Sequence, residues 1–488
     1  MTRITTGETA PDSRKLMASK TAPPATPAIT RRTIAGMILA MALIESLSGV
    51  TQGYLNPILP ALGPIFEIDD PTINGIFLIS NVSFAVLTPI ISRLGDSYGY
   101  RLVLRWSTGV VTVGVLQMAL WPSLWTVTVG VVMLTCVVGF IPLMMGILRV
   151  TSPAHTRTGV SVVIGMLMIM VGAGGLLAGI VGVTDPTLGF WVAVPFAVIA
   201  SVCSFLLPDA GVPTREGIAL APLLACSLGL IGFVVALSMA PEWGWLDPRT
   251  IAAGLLGLGL LAFWAKRDYS GAAGQRFMDL RMLATPRIRA ISVATFFFGF
   301  ASISYFGTNG IFLHSNPDKT GYGFALSPLM IAVVLALASV LSLVSSLLTA
   351  RALRRFGERA TLVFAGVLLA AGFLVMMLAH ASFAGYCLGF AMFNLSLGMY
   401  QAGTRSLSVE GVPVEETSTA AGLNELALSV GIAVGAAVVK LLSSASVESG
   451  RITETGLLTI WGALAVAALV AAAASARYPK RSAAEVTA

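Results

Sequence analysis

SRLGDSYGYRLVLR, from Ser92 to Arg105, is a charged, glycine-punctuated turn between two long apolar segments. Asp96 stands between Arg93 and Arg101. Gly99 supplies the bend, because glycine adopts left-handed backbone conformations without a Cβ penalty. So short a connection holds its flanking segments side by side. Each of those segments is apolar for about 20 residues, the length that crosses a bilayer as a helix.

The rest of the chain has the same character. Its 488 residues are 56% hydrophobic and 11% charged, against about 25% charged in an ordinary soluble domain. Mean hydropathy is +0.86. The net charge of +7 is carried by residues flanking apolar segments, which points to a membrane and away from nucleic acid. Cys136, Cys203, Cys226 and Cys387 lie inside apolar segments without metal-like spacing, so neither disulfide nor metal is expected. No GxxxxGK[ST] or HExxH pattern is present, and His155, His314 and His380 are scattered. An enzyme and an ATP-driven pump are therefore not expected, and no cofactor is.

Fourteen apolar segments are long enough to span: about 34–58, 72–92, 102–121, 124–148, 159–182, 187–207, 217–240, 249–265, 288–313, 326–350, 360–380, 382–404, 417–441 and 456–476. With the N-terminus in the cytoplasm and sides alternating, every Lys and Arg except Arg249, Lys319, Lys440 and Arg451 falls on the cytoplasmic side. That is the positive-inside asymmetry. The fold expected is all-α and integral to the plasma (inner) membrane, with 14 transmembrane helices and both termini cytoplasmic. Residues 1–30 read as a disordered cytoplasmic tail, and 479–488 as a second tail. A second glycine turn, ARALRRFGER from Ala350 to Arg359, places Gly357 where Gly99 stands 258 residues earlier. This weak repeat predicts two six-helix pseudo-repeat bundles, 31–210 and 271–478. The pair between them, 211–270, is the insert. Repeated halves are characteristic of secondary transporters.

The turn SRLGDSYGYR resembles the loop motif GxLaDrxGrr of the major facilitator superfamily, in its fourteen-helix drug:proton antiporter branch. Leu94, Asp96, Gly99 and Arg101 match, while Ser92, Ser97 and Tyr100 depart from the pattern. FWVAVPFAV (Phe190 to Val198) resembles the family's F-x-x-N-x-P segment with Ala193 for Asn. PEWGW (Pro241 to Trp245) resembles the loop between the inserted helices. The fifth segment carries Gly165, Gly172, Gly175 and Gly179 but lacks the proline of the family's antiporter motif. Residues 126–146 lack the arginine usual in the fourth helix, and Thr51 stands where many members have an Asp. The resemblance implies a gating role for Leu94, Asp96, Gly99 and Arg101.

Two acids fall well inside the spans, Glu45 and Glu425. An ionised group at the bilayer centre costs about 2.5–3.5 kcal/mol on insertion scales, so such residues are seldom idle. Glu45 lies about 20 Å along the helix from Arg32. Glu45, Ser48, Gln52 and Asn56 recur along one helical face, expected to line a central cavity. Glu45 is expected to take a proton or pair with a cationic substrate; a protonated Glu hydrogen-bonded for packing is the plainer alternative. Glu425 follows Asn424 and faces the cavity or a buried hydrogen bond. Asn81, Tyr305, Asn309, Asn394 and Gln401 complete the polar set, each open to an ordinary interhelical hydrogen bond. Arg149 and Arg405 read as snorkelling to the interface. Asp96 reads as a latch to Arg101 or to a neighbouring helix end.

The function expected is a proton-coupled exporter of small amphipathic or cationic compounds working by alternating access, as a monomer with the bilayer, protons and a small molecule as partners. Export of an endogenous metabolite, lipid or peptide with different coupling stays open, as do uptake and a non-transporting receptor on the same fold.

Overall fold

The structure is a computed structural model that describes residues 31–67, 70–182, 185–209, 219–271, 276–302, 308–410, 412–413, 416–448 and 451–479. The helices of the first bundle are α1 (Arg31–Ala61), α2 (Gly63–Phe66), α3 (Asp70–Tyr98), α4 (Tyr100–Leu120), α5 (Leu124–Leu134), α6 (Phe140–Thr151), α7 (Thr156–Val181) and α8 (Val194–Leu206). A pair follows, α9 (Leu220–Trp243) and α10 (Pro248–Ser270). The second bundle holds α11 (Pro286–Ser302), α12 (Thr308–His314), α13 (Pro317–Thr320), α14 (Pro328–Phe356), α15 (Glu358–Ala379), α16 (Phe383–Ser408), α17 (Thr417–Ser444) and α18 (Glu454–Ala476). A two-stranded ribbon, β1 (Val447–Glu448) against β2 (Arg451–Ile452), precedes α18.

Among the described residues, 12 helical stretches are long and apolar enough to cross a membrane. Each of the fourteen expected segments coincides with helix; α3 and the α11–α12 pair are the two outside that criterion. Among the described residues three segments are not continuous α-helices, the sixth opening as a 3-10 helix, Pro186–Ala193, ahead of α8. The fourth is α5 and α6 joined by a 3-10 turn, Thr135–Gly139. Pro142 sits three residues into α6, where its missing N–H and its ring disfavour an α-helical bond back to Val138. The ninth is described as α11 and α12, separated by residues 303–307, which lie outside the described set.

Local chemistry sets the helix starts. Ser123 caps α5 through a reciprocal capping box with Thr126. Asp247, Ser327, Ser382 and Thr453 cap α10, α14, α16 and α18 through side-chain oxygens. Gly99 and Gly357 each precede a helix with φ of 99° and 86°, a backbone region closed to ordinary L residues.

Glycines let the helices touch backbone to backbone. A Cβ at Gly53 of α1 would lie 2.0 Å from the Val171 carbonyl of α7, and one at Gly174 of α7 would meet Val50 of α1 at 2.8 Å. In the second bundle Gly431 and Gly435 of α17 approach the carbonyls of Phe296 and Phe300 of α11 in the same way. α1–α7 and α11–α17 are thus the tight pairs of their bundles. Gly257 of α10 fits against Gly232 and Phe233 of α9, which locks the intervening pair.

The bundles meet along two seams, α7 against α14 and α3 against α17. Gly165 and Gly172 of α7 abut Leu343 and Ser339 of α14, and Gly422 of α17 abuts Ser92 of α3. Ala402, Val409 and Ala421 of the second bundle pack into the core of the first. α9 lies over the α3–α17 seam.

Candidate functional site

The site is a set of charges buried between the bundles. Glu45 lies midway along α1 and is completely buried. Neither of its carboxylate oxygens has a hydrogen-bond partner meeting ordinary geometry among the described residues, although the Ser48 hydroxyl approaches one turn on. Across the interface, Arg405 of α16 and Glu425 of α17 form a buried ion pair. Arg405 Nε stands 2.6 Å from Glu425 Oε1, and Nη2 donates to Oε2 at 2.8 Å. Both charges act on Glu45.

Polar groups with open valences surround it. Gln401 Oε1 lies one turn before Arg405, and Asn424 Nδ2 lies beside Glu425; neither has a partner among the described residues. Asn424 Oδ1 accepts from the Thr295 hydroxyl at 2.8 Å, which fixes its orientation. On α1, Gln52 Nε2 donates to Ser48 Oγ at 3.0 Å, so Glu45, Ser48 and Gln52 do share a face. Asn309 of α12 is buried, and neither of its side-chain polar atoms has a partner among the described residues. The side chains of Asn56, Asn81 and Tyr305 lie outside the described residues.

Two expectations are corrected, both on arginines. Asn394 takes the interhelical hydrogen bond that the sequence left open: its Nδ2 donates to Phe390 O at 2.9 Å and its Oδ1 accepts from Ser342, so it pins α16 to α14. Arg405 does not snorkel, since it lies 4% exposed in the pair with Glu425. Arg149 does not snorkel either; its guanidinium crosses to Val412 O at 2.5 Å and to Thr417 Oγ1 at 3.2 Å in the other bundle. Of the fifth-segment glycines, Gly175 faces Gly53 of α1, and Gly179 faces open space and seals nothing.

The end of the molecule that carries the Ser92–Arg105 turn is closed. Asp96 Oδ2 accepts from the Thr419 backbone N–H at 2.7 Å and from its hydroxyl, in the first turn of α17. A helix N-terminus favours an anion there. Asp96 lies beyond the apolar stretch of α3. Burial pushes its carboxyl up to about 6, opposed by hydrogen bonds from Thr419 and Tyr100 and by the Arg93 charge. Of the two latch partners expected, the neighbouring helix end is the one observed. Arg101 instead pairs with Asp209 at 2.8 Å and donates to Phe205 O at 3.0 Å. Arg105 donates to Ser204 and Phe205 carbonyls and stacks over the Phe205 ring at 4.6 Å. The two arginines satisfy the last carbonyls of α8, as cations at a helix C-terminus do. Leu94 packs against the first-bundle core.

Arg157 of α7 completes the closure. It donates to both oxygens of Glu410 and to Glu358 of the second bundle. Arg354 reaches Thr158 from α14 at 3.4 Å. Sequence reasoning missed Arg157, which sits in no matched motif, and read Arg405 as a snorkelling helix-end cation. The available signal was the placement of each within helical reach of an apolar segment.

The comparisons with known proteins agree with this architecture. The family model described as Major Facilitator Superfamily matches residues 41–436. The tetracenomycin C resistance and export protein of Streptomyces glaucescens is 27% identical over 75% of this chain and 68% of its own length. The lincomycin resistance protein LmrB of Listeria monocytogenes is 23% identical over 67% of this chain and 68% of its own. Among solved structures, the human organic anion transporter MFSD10 has a TM-score of 0.64 at 16% identity, covering 92% of this chain and all of its own. The proton:xylose symporter XylE has a TM-score of 0.59 at 14% identity, covering 89% and 95%. These structural likenesses carry the fold alone. Paired helical bundles, seams closed on buried charges and a family match over most of its length make this chain a multi-pass membrane transporter, not an enzyme, that belongs to the major facilitator superfamily.

Proposed function

We propose that the protein is a proton-coupled exporter of small amphipathic or cationic compounds, of the fourteen-helix drug antiporter type, in the plasma membrane with both termini inside. The observation that carries this reading is Glu45: a buried carboxylate without a hydrogen-bond partner among the described residues, at the interface of the two bundles and beside a guanidinium already engaged by Glu425. A charge so placed is costly unless it binds something. A proton or an organic cation fits it, and their mutual exclusion at one carboxylate couples their movements. The relatives named for tetracenomycin C export and lincomycin resistance support the export direction. The closed end is then cytoplasmic. Opening it while the outer end closes is the alternating-access step.

The test is transport by the full chain in proteoliposomes with an imposed pH gradient and ethidium as probe. Gradient-driven ethidium movement in the wild type, lost in Glu45→Gln, is the expected result. Movement that ignores the gradient in the wild type overturns proton coupling, and gradient-driven movement that survives Glu45→Gln removes Glu45 from it.

A further inference from the structure

At the end of the molecule opposite Asp96, His380 follows the last residue of α15 and Glu454 is the first residue of α18. The imidazole Nδ1 lies 2.9 Å from Met377 O, and Nε2 lies 2.7 Å from Glu454 Oε1. A carbonyl oxygen only accepts, so Nδ1 carries a hydrogen. In a neutral ring Nε2 then bears a lone pair, which would face the lone pairs of a carboxylate. The short contact therefore needs a proton that neutral histidine and ionised glutamate do not supply. We propose that His380 and Glu454 form a proton-binding site that fastens α15 to α18 and, through Phe312, sets how firmly α12 is held. The site stands within the second bundle and does not depend on Glu45.

The local fields place the proton on Nε2. A helix C-terminus favours a cation and a first helical turn favours an anion, and the two residues hold these positions on α15 and α18. The Glu454 side chain is 47% exposed, so the proton exchanges with water. The imidazole ring packs T-shaped against Phe312 of α12 at 6.3 Å and tilted against Trp461 of α18 at 6.2 Å. Phe312 also stacks on Tyr386 at 4.8 Å and on Tyr322 at 6.0 Å. The Tyr322 hydroxyl donates to Ile452 O at 2.7 Å, in the strand before α18. Buried Asn309 lies one turn before Phe312 on α12. When the proton leaves, a lone pair opposes a carboxylate, the pair parts, and α12 loses one wall of its seat. Other titratable groups at this end are His314 of α12, Asp318 of α13, and Tyr386 and Cys387 of α16. His314 Nδ1 lies against Leu326 O, and neither His314 nor Asp318 pairs with His380 or Glu454 among the described residues. The side chains of Lys319, Glu448 and Arg451 lie outside the described set.

Hydrogen exchange of the full chain in lipid nanodiscs tests the site, read by mass spectrometry over residues 308–327 and 451–457 and corrected for intrinsic rates. In the wild type these segments are expected to exchange about tenfold faster at pH 9 than at pH 6. Glu454→Gln separates a shared proton from a plain ion pair. Its amide can turn the oxygen toward imidazolium or the N–H toward the neutral ring, so the link is expected to survive, with slow exchange, at both pH values. His380→Ala, which removes the ring, is expected to exchange fast at both. Wild-type exchange that is equal at the two pH values overturns the proposal. So does fast exchange of Glu454→Gln at both, which is the behaviour of a tie made by charge alone. A Glu454→Gln protein that keeps the wild-type pH dependence overturns it as well, because another group then carries the proton.

Discussion

Asp96, at the end of α3, accepts its hydrogen bonds from Thr419, 323 residues later, in the first turn of α17. The contact joins the two bundles through one carboxylate. Losing it removes a charge-assisted pair of bonds worth about 1.5–3 kcal/mol. Asp96→Ala is therefore expected to shift the conformational equilibrium toward the open end by about tenfold or more, since 1.4 kcal/mol is a factor of ten. Spin-label distances between α3 and α17 in detergent read the shift. An unchanged distance distribution refutes the latch.

The same carboxyl makes the latch sensitive to pH. Closed, Asp96 is pushed up to about 6 by burial. Open to water, it returns toward about 3.9. The closed form then binds the proton more tightly. Its extra stability is fully present below about 4 and is lost as pH rises through about 6. The closed population is expected to grow between pH 8 and pH 5, and Asp96→Asn is expected to abolish that dependence. A pH response unaltered in Asp96→Asn assigns it to another group.

The glycines of α7 differ in what they touch. A methyl at Gly172 lands 2.3 Å from Ser339 Oγ and 3.1 Å from the Ala336 Cα, in the seam between bundles. Overpacking of this kind costs about 1–3 kcal/mol. Gly172→Ala is expected to lower both transport and thermal stability, and Gly179→Ala, facing open space, to change neither. Equal effects from the two substitutions rule out a special role for the seam glycine.

Asp268, buried at the end of α10, accepts from Trp264 Nε1 at 2.7 Å and from the backbone N–H groups of Phe277 and Met278 at 2.9 and 2.7 Å. It folds the following segment back so that Phe277, Met278, Leu280 and Met282 join the core beneath α9. Asp268→Leu strands three buried N–H donors, at about 1–3 kcal/mol each. Limited proteolysis is expected to cut near residues 276–284 in this variant and not in the wild type. Equal protection of both disproves the staple.

The helices were legible because bilayer length and apolar composition leave few alternatives. The face shared by Glu45, Ser48 and Gln52 was legible because helical spacing fixes it. Partners were not. Asn394 carries the same chemistry as Gln401 in sequence, yet Ser342 and Phe390 satisfy it, and only the placement of α14 shows that. Arg405 read as a helix-end cation because it lies three residues from the end of α16. Its burial comes with the ion pair to Glu425 of α17, a partner on another helix that no local pattern names. Ser92, a departure from the motif's glycine, is accommodated by Gly422 opposite it, a compensation written 330 residues away.

Arg157 holds Glu358, at the start of α15, and Glu410, beyond the end of α16, with a single guanidinium. Two separate pairs would allow that end to part in stages, one side at a time. A shared cation ties the two elements together, because the guanidinium that holds one of them also holds the other. The doorway therefore swings as one leaf, and its threshold is set by the harder of the two bonds rather than by their average.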